Sequence, residues 1–319
     1  MSLRIASLGS SFAAGPSIPP VENDSAGRSG ANYAHLLAER VAGTLTDLSV
    51  CGATLLHLLD TPQHAGGKEF APQIDDLPEN TDLVLVLGGG NDIGYVGGLF
   101  DDTLKRSLPG TALMYLRGAD PDHEAKTQLQ LDLDGLVQRY GTVLDAIHRK
   151  APGAYVLVVE YQAVLGPDTR PGEDVVFGAD RIAYHREVAA RLQEATRKAV
   201  CGREEWCSTV DIAEASETHA IGAEDPWIFG FTWKLFYQGC AYHPRPGGMA
   251  AIADLIYDKM LQLGLVIEDQ TSRDEETEDG FWTSGTGTCA LTGQAMNTWK
   301  STDCVARSTK VMTPAHYSS

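Results

Sequence analysis

Two short stretches, Asp82–Leu87 (DLVLVL) and Tyr155–Val159 (YVLVV), are apolar at almost every position. A strand with one wet face would alternate apolar and polar residues. Strands apolar on both faces belong to parallel sheets covered on each side by helices. Arg4–Leu8 reads as a third buried strand, and Thr46–Val50 and Thr209–Ile212 as two more. Between them apolar residues recur at helical spacing: Tyr33, Leu36, Leu37 and Val41, stopped by Gly43; Leu136, Tyr140, Val143, Leu144 and Ile147; His185, Val188, Leu192, Ala195 and Ala199; and Met249, Ile252, Ala253, Ile256 and Met260. Strands that alternate with helices predict a three-layer α/β/α domain on a parallel sheet, covering residues 1–265. Residues 95–130, with Gly97-Gly98 and Pro109-Gly110, lack periodicity and read as an insertion that forms a lid or one wall of a cleft. From Glu268 the run DQTSRDEETEDG opens a stretch rich in Ser, Thr and Gly, so residues 266–319 are expected to be a polar, mobile tail.

Charge narrows the partners. The chain of 319 residues carries 43 Asp plus Glu against 25 Lys plus Arg, a formal net charge of −18. Such a surface is repelled by nucleic-acid phosphates and by anionic membranes, which leaves a small, neutral or weakly charged molecule as the expected partner. No apolar run approaches the ~20 residues of a membrane span. The opening MSLRIASLG has no leader pattern, so a cytoplasmic location with reduced cysteines is expected, or secretion if a leader is missing from this sequence. Cys201 and Cys207 are near enough in sequence to pair under oxidising conditions. HExxH, CxxC and clustered His/Asp patterns are all missing, so no metal is expected. The sequence sets no oligomeric state.

Open α/β sheets bind ligands at the carboxyl ends of their strands. The first strand runs into Gly9-Ser10-Ser11-Phe12-Ala13-Ala14-Gly15, the second into Cys51-Gly52-Ala53, and the third into Gly88-Gly89-Gly90-Asn91-Asp92-Ile93-Gly94. Tyr242-His243-Pro244 leads into the last helix. These parts suit acyl transfer. A serine hydroxyl needs a base, and His243 has the pKa range for one. A tetrahedral intermediate needs fixed donors, which the N–H of Ser11, the N–H of Gly52 and the amide of Asn91 can supply. Each residue also has a plainer use. A serine after a strand is commonly a helix cap, and a turn glycine commonly only a turn. The three glycines at 88–90 lack the Gly-Lys-Ser/Thr of a phosphate loop. Asp92 reads as structural, bonded to its own loop. His219 reads as a loop histidine or a substrate contact. Trp227, Phe229 and Phe231 are candidates for an acyl pocket or for the core.

Taken together, Gly9-x-Ser11-x-x-x-Gly15, Gly52, Gly89-x-Asn91-Asp92 and His243-Pro244 resemble, in order, the blocks of the SGNH, or GDSL-type, hydrolases. The likeness spans about residues 3–262 and is greatest to the branch of microbial esterases and lipases. It implies a flavodoxin-like sheet and hydrolysis of a carboxylic ester through an acyl-enzyme, with no cofactor. It assigns Ser11 and His243 as catalytic and Ser11, Gly52 and Asn91 as the oxyanion hole. Ser10 stands where the family usually has Asp, at a position outside the chemistry. Cys240 stands where the family places the acid that orients the histidine, three residues before it. The resemblance therefore implies a Ser–His dyad, oriented by the backbone carbonyl of Cys240, with Asp225 as the alternative acid. Two other functions fit the same residues: removal of acetyl groups from carbohydrates, and a binding protein that keeps the fold without catalysis.

Overall fold

Five parallel strands make the central sheet of the computed structural model, which describes residues 2–107, 110–112 and 131–267. In chain order they are β1 (Arg4–Gly9), β2 (Thr44–Asp47), β3 (Leu83–Leu87), β4 (Tyr155–Val159) and β5 (Cys207–Val210), and their spatial order is 2-1-3-4-5. That order is the flavodoxin-like one, with its switch point between β1 and β3. Every residue of β3 is buried, and β4 is buried from Val156 onward, as strands apolar on both faces require. The register pairs Gly9 with Leu87 and Ser7 with Asp47, so the ends of β1, β2 and β3 come out on one edge.

Helices cover both faces. On one side α2 (Tyr33–Arg40) packs against the last helix, Pro246–Gln262. On the other, α3 (Leu55–Leu59) and the long helix Ala179–Val200 both pack against the helix Leu133–Lys150. Numbered in chain order, with α1 at Ser11–Ala14 and α4 at Tyr95–Lys105, these last three are α5 (Leu133–Lys150), α6 (Ala179–Val200) and α7 (Pro246–Gln262). The described chain up to Val266 forms one compact unit.

Three expectations need revision. The second strand ends at Asp47, because Asp47 Oδ1 takes the N–H and the hydroxyl of Ser49 and bends the chain; only the N–H groups of Leu48 and Val50 still reach β1, on Ser7 and Gly9. The fifth strand lies two residues earlier than expected. Residues 95–105, read as part of an insertion without periodicity, form a helix. Val96, Leu99 and Thr103 form its buried stripe, and Gly98 sits where a Cβ would lie 3.2 Å from His185. Gly98 is therefore a packing position on the helix surface, whereas a Cβ on Gly97 would meet nothing within 4 Å. Residues 113–130 of the expected insertion, and the expected tail from residue 268, lie outside the described residues.

The glycines after β3 are demanded by two tyrosines. A Cβ on Gly89 would lie 2.5 Å from the Tyr140 hydroxyl, and one on Gly90 would lie 2.8 Å from the Tyr161 ring. Gly89 also has φ +91°, where side chains are rarely found. Gly89→Ala is expected to cost about 1–3 kcal/mol. It should appear as a lower urea midpoint with an unchanged slope, since the surface exposed on unfolding stays the same.

Candidate active site

Backbone bonds stitch the strand-end loops together. The Ser10 N–H donates to the carbonyl of Leu87 (3.0 Å), and the Val50 N–H to that of Gly9 (3.1 Å). The side chain of Gln73 closes on the same glycine, receiving its N–H at 2.8 Å and donating to its carbonyl at 3.0 Å. The Tyr161 hydroxyl lies 2.7 Å from Ser10 Oγ and accepts the Gly90 N–H at 3.2 Å. Asp92, whose side chain is fully buried, takes the Leu55 N–H on one oxygen (2.9 Å) and Arg139 on the other (2.7 Å). Burial raises its pKa, against the pull of Arg139. Asp92 is thus structural, but it ties its loop to α3 and α5 more than to itself.

Within this frame Ser11 opens α1. Its N–H is in the first turn of a helix, where no intrahelical acceptor exists. Its hydroxyl lies 2.8 Å from His243 Nε2. On the far side of the ring, His243 Nδ1 is 2.8 Å from the carbonyl oxygen of Ala241. A carbonyl only accepts, so the proton of the neutral ring sits on Nδ1, and Nε2 is left to accept the serine proton. The Phe12 ring packs against the imidazole, with centroids 5.5 Å apart. Burial pushes the His243 pKa down to about 4, and the Ala241 carbonyl offsets this only in part. The imidazole is therefore neutral across the ordinary pH range.

The orienting carbonyl belongs to Ala241, which corrects the expectation for Cys240. The Cys240 carbonyl is held in a turn by the main-chain N–H of His243 at 3.1 Å, and its thiol is turned to Leu235 O at 3.6 Å. Asp225 is also displaced from the expected role. Its side chain is 82% exposed and nearest to His219, at 3.9 Å, while its carbonyl oxygen lies 2.8 Å from His219 Nδ1. His219 ends a short 3-10 helix, Glu217–His219, and stacks on Trp227 with centroids 4.1 Å apart. Phe231 packs on Phe236 and Tyr242. Cys207 is a free, buried thiol, so the pairing with Cys201 is not made.

Gly52 and Asn91 line one cavity of about 1010 Å³. Gly52 has φ +80°, and a Cβ there would meet only Gln63 at 3.6 Å, so conformation rather than space calls for glycine. Asn91 Nδ2 donates to the Ala53 carbonyl at 2.8 Å. That bond aims the amide at the loop of Gly52 and leaves its second hydrogen available. The rest of the wall mixes polar and apolar surface, with Asp101, Asp102, Arg181 and His185 among its polar residues. Arg181 and His185 both bond Asp102, at 2.8 and 2.7 Å.

Tyr161, Gln73 and Tyr242 do not stand out in the sequence. Tyr161 follows the end of β4, so the strand-end rule could have flagged it; Gln73 lies in a loop with no such signal.

A serine hydroxyl on a neutral imidazole, at the carboxyl edge of a 2-1-3-4-5 sheet, is the arrangement of a serine hydrolase. Comparison with known proteins agrees. The model of the GDSL-like lipase/acylhydrolase family matches residues 7–251. The chain belongs to that family, and it is a carboxylic ester hydrolase of the lipase and esterase kind. It is 28% identical over 243 residues to Lipase 2 of Streptomyces coelicolor, which covers 72% of this chain and 78% of that one. In structure it resembles phospholipase A1 from Streptomyces albidoflavus, with a TM-score of 0.61 at 19% identity over 81% of this chain and all of the other. It also resembles the extracellular lipase of Streptomyces rimosus, with a TM-score of 0.57 at 21% identity over 79% of this chain and 99% of the other. Among the described residues, no helix is long and apolar enough to cross a membrane.

The lowered pKa of His243 has a consequence for folding. Unfolded, the side chain takes a proton near its ordinary value of 6.5; folded, it does so only near about 4. The unfolded state binds more protons between those values, so this residue's contribution to stability falls as pH drops from about 6.5 to about 4 and is level below. His243→Gln should flatten that part of the stability–pH curve, as read by urea unfolding at a series of pH values.

Proposed function

We propose that Ser11 and His243 form a catalytic dyad that hydrolyses carboxylic esters of small molecules through an acyl-enzyme. One observation carries the reading: the imidazole lies between the Ser11 hydroxyl and the Ala241 carbonyl, each at 2.8 Å, and among the described residues no carboxylate is bonded to it. Ser11 Oγ attacks the ester carbon as its proton passes to Nε2. The carbonyl electron pair moves onto oxygen, where the N–H groups of Ser11 and Gly52 and the Asn91 amide hold it. Collapse of the intermediate expels the alcohol, which takes the proton from Nε2. Water then attacks the acyl carbon and gives a proton to Nε2; collapse of this second intermediate expels Ser11 Oγ, which takes that proton back, and the carboxylic acid departs.

The missing carboxylate has a chemical meaning. An acid in a triad orients the imidazole, fixes its tautomer and stabilises the imidazolium that forms. The Ala241 carbonyl does the first two. It does the third with a dipole instead of a full charge, and the low pKa of His243 is in keeping with that. We take the cavity beside Gly52 and Asn91 as the place of the ester, and its charged, hydrogen-bonded wall as the side that meets a polar alcohol. Nucleic acid is no part of this reading, given the charge of −18. The cytoplasm is the location this reading takes, and a secreted form is the alternative, in line with the extracellular lipase that the fold resembles.

A fluorophosphonate probe should label the protein once, with the adduct on Ser11 by peptide mass spectrometry, and Ser11→Ala should abolish both label and hydrolysis. An adduct on Ser10 would overturn the assignment. Asn91→Ala should lower kcat by about a hundredfold to a thousandfold and leave KM nearly unchanged. Asp225→Asn and Cys240→Ala should each keep most activity, since neither side chain touches the ring. The acid limb of kcat/KM should fall near pH 4, because the neutral base persists down to there.

A further inference from the structure

His243 can serve as a base only if its proton stays on Nδ1, which depends on where the Ala241 carbonyl points. That carbonyl belongs to the peptide between Ala241 and Tyr242, and His243 follows one residue later. For the carbonyl to turn back onto the ring two residues on, the chain must reverse at Tyr242. It does: Tyr242 has φ +59°, in the left-handed region that a bulky residue rarely enters. The backbone disfavours that conformation, so the surroundings must over-determine it.

Those surroundings are on hand. Tyr242 is fully buried. Its ring packs on Phe100 and Phe231, with centroids 5.3 and 5.9 Å away. Its hydroxyl lies 2.6 Å from Thr103 Oγ1. The single proton of that threonine goes to the Leu99 carbonyl at 2.8 Å. The tyrosine hydroxyl is therefore the donor of the pair, and burial, which raises its pKa to about 12, keeps it protonated. The main chain is gripped as well. The Tyr242 N–H donates to Phe229 O at 3.0 Å, and the Phe229 N–H donates to the His243 carbonyl at 2.9 Å.

We propose that Tyr242 is a positioning residue, whose hydrogen bond to Thr103 locks the left-handed turn that aims the Ala241 carbonyl at His243 and fixes the ring tautomer. Helix α4 carries Thr103, and its other face, with Gly97, Gly98, Asp101 and Asp102, lines the cavity. One helix thus forms a wall of the cleft and anchors the turn of the base. The proposal rests on the dyad reading for its catalytic meaning, but the geometry it describes exists in the free protein.

The experiment is 15N NMR of the full chain with histidine labelled in the ring, at neutral pH, with His243 among the nine histidines assigned through His243→Gln. The native protein should show His243 in the Nδ1–H form. Tyr242→Phe and Thr103→Val each remove one end of the bond. Each should admit the Nε2–H form, which a free imidazole favours, and lower kcat/KM about tenfold through kcat, the size of one hydrogen bond. The double variant should do no more than either single one. Thr103→Ser keeps a hydroxyl and should restore the native shifts. An unchanged His243 tautomer in Thr103→Val and Tyr242→Phe overturns the proposal, even if both melt earlier; if Tyr242→Phe does not fold, Thr103→Val decides alone. Hydrolysis that survives Ser11→Ala would sink the dyad reading instead and leave the tautomer result standing.

Discussion

The parallel pairing of β1 with β3 at Gly9 and Leu87 is the constraint on which the site depends. Two main chains end there side by side, and the loops that leave them must share one edge. Gly9 is fitted into this junction so closely that a Cβ would lie 2.3 Å from the Leu87 carbonyl oxygen. The Ser10 N–H uses the same carbonyl, which delivers Ser11 to the first turn of a helix at the sheet edge. Gln73 caps the polar groups of Gly9 from one side, and Tyr161 joins Ser10 to the glycine loop from the other. Buried main-chain groups need partners, and here nearly every partner comes from a neighbouring loop. The hydrogen bonds that satisfy the edge are the same ones that build the site.

The energetics of the base follow from where the sheet puts it. His243 is enclosed, with the Phe12 ring packed on it and, among the described residues, a carbonyl and Ser11 as its hydrogen-bond partners. Desolvation then dominates and favours the neutral imidazole. A carboxylate beside the ring would have paired with the imidazolium and raised the pKa. Without one, the ring gives up some stabilisation of its charged form and gains a neutral resting state over a wide pH range. A fixed carbonyl dipole is enough to choose the tautomer, because the choice needs only an acceptor on the correct side.

The polar side chains around the cavity are mostly engaged with one another. Asp92 is shared by Leu55 and Arg139, and Asp102 by Arg181 and His185. These contacts bridge α3, α4, α5 and α6, so the cavity wall is a set of cross-braced helices. Preorganisation of this kind lowers the cost of ordering a substrate, since the groups that meet it are already in place.

The sequence by itself determined the layers, the sheet and the residues brought to its edge. Runs such as LVLVL leave no wet face, so β3 had to be central; ordered glycine, serine and asparagine blocks after successive strands had to meet, because parallel strands all end on one side. Ser11 and His243 were legible for that reason, as were Gly52 and Asn91 on the cavity wall. Helix α4 was hidden by Gly97-Gly98, which read as breakers until His185 showed what space Gly98 leaves. Only the tertiary structure decided which group faces the back of the imidazole. Counting back from His243 favours residue 240 by analogy and offers Asp225 by charge, but neither count contains a backbone angle. The reversal at Tyr242 turns the carbonyl of residue 241 to the ring, and Tyr242 packs there on Thr103, 139 residues earlier in the chain, and on Phe100 of the same helix, as well as on nearby Phe231. Contacts so far apart along the chain leave no local pattern, so the partner of His243 became visible only once the chain had folded.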